Sequence, residues 1–143
     1  MPYTGVKYNA KETVIRFYPS SGGTIDLTGD SRDLTINEQA NEIDVTTRGN
    51  AQDGASDFLD DVPARTWQLQ SLDTRGTAQA WGQVNIGDTG TLTWWPEGTA
   101  VGKRQETAAA RVLQRNRTYP YNNAATIELQ GRLTSAITKT VVT

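Results

Sequence analysis

Asp33-Leu34-Thr35-Ile36-Asn37 and, past a short connection, Glu42-Ile43-Asp44-Val45-Thr46 repeat one pattern, a branched aliphatic at every second position with polar or charged residues between. A period of two is that of a strand with one face in a core and the other in water, because successive side chains leave a strand on opposite sides. Leu34, Ile36, Ile43 and Val45 therefore belong to one face. Asp33, Thr35, Asn37, Glu42, Asp44 and Thr46 belong to the other. Glu38 to Asn41 has the length of a hairpin connection, so the pattern predicts that these two strands pair with each other.

The same alternation recurs on both sides of this stretch. Thr13 to Tyr18 sets Ile15 and Phe17 together, Thr24 to Thr28 sets Ile25 and Leu27 together, and Pro19 to Gly23 supplies the turn. Thr66, Gln68 and Gln70 form the polar side of a further strand, Thr66 to Gln70. Strands are also expected over Ala78 to Ile86, Gly90 to Trp95, Ala125 to Leu133 and Ala136 to Val142. Gly49 to Val62, poor in β-branched residues, predicts a loop with a short helix around Ser56 to Asp61. Thr107 to Arg115 is helix by propensity alone, but its flanks, Gly98 to Gly102 and Thr118 to Asn123, suit a hairpin arm, and we read it as a strand. The expectation is an all-β antiparallel sandwich with one short flanking helix. It forms a single domain over 1–143, with residues 1–10 as an N-terminal arm.

At roughly 100 to 200 residues per domain, 143 residues leave no room for a second core. The hydrophobic fraction of 36% is modest and points to a thin core that leans on neighbouring copies. With no cysteine and no histidine, the usual nucleophilic triads and zinc sites have no ligands or bases to draw on. Gly98-Thr-Ala-Val-Gly-Lys103-Arg104 falls one residue short of a phosphate loop and lacks the Ser or Thr that would hold magnesium. Asp60 and Asp61 are adjacent loop acids rather than a spaced glycosidase pair, and Asp30 and Asp33 lack the ligand register of a calcium loop. Asn116-Arg117-Thr118 is a glycosylation sequon without a secretory signal, since Met1 to Phe17 carries Lys7, Lys11, Glu12 and Arg16. No catalytic residue, metal ligand, cofactor or membrane anchor is expected.

Charge is laid out unevenly. Thr24 to Asp73 holds eleven acids against three bases, while the rest of the chain holds eleven bases against five acids, for a net charge of -2. Opposite poles on one chain steer head-to-tail contacts between copies. The candidate contact residues are Asp53, Asp57, Asp60 and Asp61 on the acidic side and Lys103, Arg104 and Arg111 on the basic side. Trp94 and Trp95 are adjacent on a strand and must point to opposite faces, so one is expected in the core and the other outward at a subunit interface or as a sugar platform.

The stretch from Gly29 to Asn50, with its Gly-Asp turn and Asp44-Val-Thr-Thr47 strand end, then Phe58-Leu59, Thr91 to Lys103, and Ile127 to Leu133, resembles the major tail tube proteins of long-tailed, non-contractile bacteriophages. That resemblance implies hexameric rings whose inner sheets close into one ring-wide β-barrel, stacked into a hollow conduit in the virion tail after synthesis in the host cytoplasm. It implies tail terminator and tail-tip proteins as partners, with the tape-measure protein and DNA passing through without sequence-specific binding. Asp33, Thr35, Asn37, Glu42, Asp44, Thr46, Thr66, Gln68 and Gln70 then become the expected lumen lining, free of Lys and Arg. DNA carries one charge per roughly 1.7 Å, and a basic wall would hold it back. The rival readings are a carbohydrate-binding or adhesion sandwich and a tube component of a contractile injection machine.

Overall fold

The computed structural model describes Tyr8, residues 10–29, 31–40, 63–73 and 79–143, and the backbone of 42–44 and 58–60. Its strands are β1 (Val14–Pro19), β2 (Ile25–Asp26), β3 (Ser31–Gln39), β4 (Glu42–Asp44), β5 (Phe58–Asp60), β6 (Ala64–Leu72), β7 (Thr89–Trp95), β8 (Arg104–Thr118), β9 (Thr126–Leu133) and β10 (Thr138–Val141). Eight of them make one antiparallel sheet in the order β2-β1-β7-β8-β9-β6-β3, with β10 also on β8. The all-β antiparallel class is as the alternation predicts.

β8 organises this sheet. Its first half pairs with β7 through Thr89↔Arg111 to Trp94↔Glu106 and with β10 through Thr138↔Thr107, whereas its second half pairs with β9. Between Val112 and Gln114 the register slips by one, leaving Leu113 as the extra residue, 47% exposed. A bulge of this kind bends the strand and strengthens its twist. It also exchanges the faces: Ala108, Ala110 and Val112 point to the core before it, and Arg115 and Arg117 share that side after it.

The core-facing residues of both halves come from one side of the sheet. Ile15 and Phe17 lie opposite Trp94 and Leu92, while Leu69 lies between Leu34 and Leu129, yet all the buried ones belong to one cluster. A single face can bury itself this way only if the sheet curls and its halves cover each other. The mouth is closed by Trp81, on the 3-10 turn Ala80–Gln83, and Val84, which caps that turn three residues later, a spacing that puts both on one side.

Several expectations are corrected here. Asp33 to Asn37 does not pair with Glu42 to Thr46. Instead β3 pairs with β6 (Gln39↔Ala64), and β4 pairs with β5 (Glu42↔Asp60) in a separate two-stranded sheet. The length of the connection allowed a hairpin, but β6 and β5 take the ladder positions that the hairpin would have used. Among the described residues there is no α-helix, and Phe58–Asp60, expected in a short helix, is a strand because the ladder with Glu42–Asp44 satisfies its backbone. Ser56, Asp57 and Asp61 lie outside the described residues. Within Ala78 to Ile86, Ala80–Gln83 forms the 3-10 turn rather than a strand. Thr107 to Arg115 is strand, as read.

The β1–β2 corner holds one titrating group. Asp26 accepts from the Thr28 amide at 3.0 Å and lies 3.8 Å from Arg16. Burial pushes its carboxyl upward, but the Thr28 hydrogen bonds and Arg16 outweigh this and hold it below its ordinary 3.8. A carboxylate held low contributes stability above its unfolded pKa and loses it as pH falls through the folded value. Asp26→Asn is therefore expected to narrow the gap in melting temperature between pH 7 and pH 3 by about 1 to 2 °C, a small effect for so exposed a pair. Thermal melts of both forms at the two pH values measure it.

Candidate functional site

The side of the sheet opposite the core is polar across β3, β6, β9 and the second half of β8. Registers bring Asp33 beside Gln70, Thr35 beside Gln68 and Asn37 beside Thr66, so six of the expected lining residues share one face. β9 then sets Glu128, Gln130 and Arg132 beside Gln70, Gln68 and Thr66, and β8 adds Asn116, Gln114 and Arg111. The result is three rows across four strands: one with Asp33 and Glu128, a middle one of Thr35, Gln68, Gln130 and Gln114, and one with Arg132 and Arg111. Glu42 and Asp44 fall on β4 and Asp60 on β5. Thr46, Asp53, Asp57 and Asp61 lie outside the described residues.

Sequence reasoning missed the β8 and β9 part of this face. Glu128, Gln130 and Arg132 alternate in plain view, but nothing local says that β9 lies beside β6. On β8 the bulge hides Gln114 and Asn116, since strict alternation from Ala108 would turn them into the core.

Among the described residues, two edges of this polar sheet are open. β3 ends the strand order, and beyond Val112, which bonds to Gly87 and Asp88, the β7 side of β8 has no backbone partner among the described residues. Leu113 to Thr118 thus presents about 20 Å of unpaired strand and β3 about 30 Å, at 3.3 to 3.4 Å per residue. Open edges of this length recruit another strand unless something blocks them.

The basic residues divide into two groups. Arg104 donates to the Tyr8 hydroxyl at 2.8 Å and lies 3.7 Å from Glu106, which in turn accepts from Trp94 Nε1 at 2.6 Å. Arg115 donates to the carbonyls of Trp81 and Val84, and both it and Arg117 stand over the Trp81 ring at 5.5 and 5.0 Å. Desolvation first and Arg117 second lower the Arg115 pKa. Arg115 is therefore spent on the subunit's own mouth. Lys103 and Arg111 are exposed.

Trp94 and Trp95 are both buried, at 3% and 6% exposure, which corrects the expectation of one outward tryptophan. They do face opposite sides, but Trp95 is covered by Arg16, 5.0 Å from its ring, and donates from Nε1 to Gln105 at 3.0 Å. Neither offers an aromatic platform. An open groove of about 730 Å³ lies between β3 and the β1–β7 side, floored by Ile15, Leu34, Ile36 and Trp94 and edged by Arg104 and Glu106.

No family model matches the chain, and no curated protein matches it significantly. Solved structures do. The SPP1 tail tube is similar over 94% of this chain and 80% of its own, with a TM-score of 0.66 at 12% identity. The chain has the tail-tube fold. A second tail-tube-type match is the tail of an empty gene transfer agent particle with C6 symmetry, at TM-score 0.63 and 14% identity over 94% of this chain and 99% of that one. The anti-feeding prophage baseplate, 6-fold symmetrised, is also similar, at TM-score 0.59 and 8% identity over 98% and 97%. In this fold the polar sheet with two open edges is the feature that any assembly must accommodate.

Proposed function

We propose that this chain is a structural, non-enzymatic subunit of a tail tube, joined edge to edge into hexameric rings that stack into a hollow conduit for DNA. The observation that carries this reading is the pair of open edges on one polar sheet. When the β3 edge of one copy meets the β8 edge of the next, every copy satisfies its neighbour and the edges vanish only when the ring closes. Support comes from the C6 symmetry of the gene transfer agent tail, whose subunit shares the fold. The closed sheet would present Thr35, Gln68, Gln70 and Gln130 inward, with two acids and two arginines that balance. Arg111 and Arg132 depart from the expected lining free of Lys and Arg, but with Asp33 and Glu128 on the same face the wall carries no net charge to hold phosphates back.

The tape-measure protein and DNA then pass without sequence-specific contacts, terminator and tip proteins cap the ends, and the subunit resides in the virion tail. The acids of Asp53 to Asp61 and the bases Lys103 and Arg104 remain candidate ring-to-ring contacts. The likeness to the anti-feeding prophage baseplate favours one second reading, a tube component of a contractile injection machine, which uses the same ring closure. The buried Trp94 and Trp95 argue against the carbohydrate-binding reading. Negative-stain electron microscopy of concentrated protein, with light scattering on the same sample, tests the proposal. Hollow tubes or six-membered rings are expected. A monomer at every concentration, even with tail-tip extract added as initiator, would sink it.

A further inference from the structure

Arg111 on β8 and Arg132 on β9 are directly opposite in the ladder, both exposed. Like charges directly opposite destabilise a sheet, and here nothing relieves them. Their lateral neighbours are Thr89 and Thr66, and along the strands on the same face stand Ala109, Gln114, Gln130 and Thr134. Neither arginine has an ion pair among the described residues. At the other end of the face the situation is mirrored. Asp33 and Glu128 flank Gln70, Asn116 is the next lateral neighbour, and neither acid is in an ion pair among the described residues, Arg32 beside Asp33 in the chain included. Among the described residues Glu128 accepts from the Gln130 amide alone.

Glu128 and Arg132 are four positions apart on one strand, about 13 Å, so acids and bases of one copy do not meet. That distance exceeds the roughly 8 to 10 Å over which salt leaves exposed charges in contact. We propose that the Arg111–Arg132 pair binds a second copy of this chain through its Asp33–Glu128 row, so that the basic end of one polar sheet seats on the acidic end of the next. This rests on the conduit reading and adds to it the polarity of stacking. A face carrying both signs at opposite ends pairs head to tail with itself and repels when a copy is inverted. Charge complementarity favours a second copy over nucleic acid, because the acids that would take the arginines are on the same face and equally unpaired.

The test uses the full chain in two variants, Arg111→Glu/Arg132→Glu and Asp33→Arg/Glu128→Arg. Circular dichroism confirms folding, and Arg111→Gln/Arg132→Gln replaces the first variant if that one does not fold, in which case the single-variant arms alone decide. Each alone is expected to raise the concentration needed for tube growth by about tenfold or more, and an equimolar mixture to restore growth by alternating the two signs. Variants that grow tubes like the unaltered chain, or a mixture no better than its parts, overturn the contact and leave the conduit reading standing. Loss with the arginine variant but none with the acid variant also overturns it, and moves the partner to acids elsewhere in the chain. Normal growth with lost binding of a short DNA duplex, read by anisotropy, overturns it in favour of nucleic acid. An unaltered chain that forms neither rings nor tubes, even with tail-tip extract added as initiator, overturns both the conduit reading and this contact.

Discussion

Gly131→Ala is expected to lower the melting temperature of the subunit by about 10 °C, from overpacking of roughly 3 kcal/mol at about 3 °C per kcal/mol. Gly131 sits on the core side of β9 between Trp67 of β6 and Val112 of β8, where the β8 bulge begins. A Cβ at this position would lie 2.0 Å from the Arg111 carbonyl oxygen and 2.5 and 2.7 Å from Nε1 and Cε2 of the Trp67 indole. Neither neighbour can yield cheaply. The carbonyl is fixed by the β7–β8–β9 ladders, and Trp67 is 2% exposed with its indole N–H already without a partner. The comparison is Gly82→Ala, where nothing lies within 4 Å of the added carbon, and that melt is expected to stay within about 2 °C. Calorimetry of the three proteins decides it: an unchanged melt for Gly131→Ala would mean that β8 and β9 do not approach as described.

That glycine illustrates where the sequence was legible and where it was not. Alternation identified Ile15 with Phe17, Ile25 with Leu27 and Leu34 with Ile36 as the core-facing residues of their own strands, because in strands that are half buried the pattern is the fold. It also placed Asp33, Thr35, Asn37, Thr66, Gln68 and Gln70 opposite that face. It failed at pairing: the choice between a β3–β4 hairpin and a β3–β6 ladder depends on partners more than twenty residues away, and the connection itself suited either. β8 was readable as a strand despite Ala108-Ala109-Ala110, because its flanks are turns and small side chains fit where β7 and β9 crowd in. Its bulge was not readable, and the bulge is what puts Gln114 and Asn116 on the polar face and Arg115 over Trp81. Trp95 misled for a related reason. A residue on the outer side of a sheet is not thereby exposed, and Arg16 and Gln105 cover it.

The open β3 edge leads to the last expectation, that a single proline on it abolishes ring closure without unfolding the subunit. Successive backbone N–H groups of a strand point to opposite edges, so of Asn37 and Glu38 one donates toward β6 and the other toward the open side. Both side chains are exposed, so the backbone donor and the fixed φ of proline are the main changes at Asn37, joined at Glu38 by loss of its exposed 3.4 Å ion pair with Arg65, a contact worth little. One of Asn37→Pro and Glu38→Pro should cost about 3 kcal/mol by removing a ladder bond. The other should melt within a few degrees of the parent and yet run as a monomer in light scattering at concentrations where the parent assembles. The effect on assembly is large because a ring repeats its junction at every subunit: a defect that weakens one contact modestly weakens all of them at once, and a closed ring tolerates no open joint. If the folded variant still closed rings, the junction would have to lie on a surface other than the β3 edge, and the polar face would lose its continuity from copy to copy.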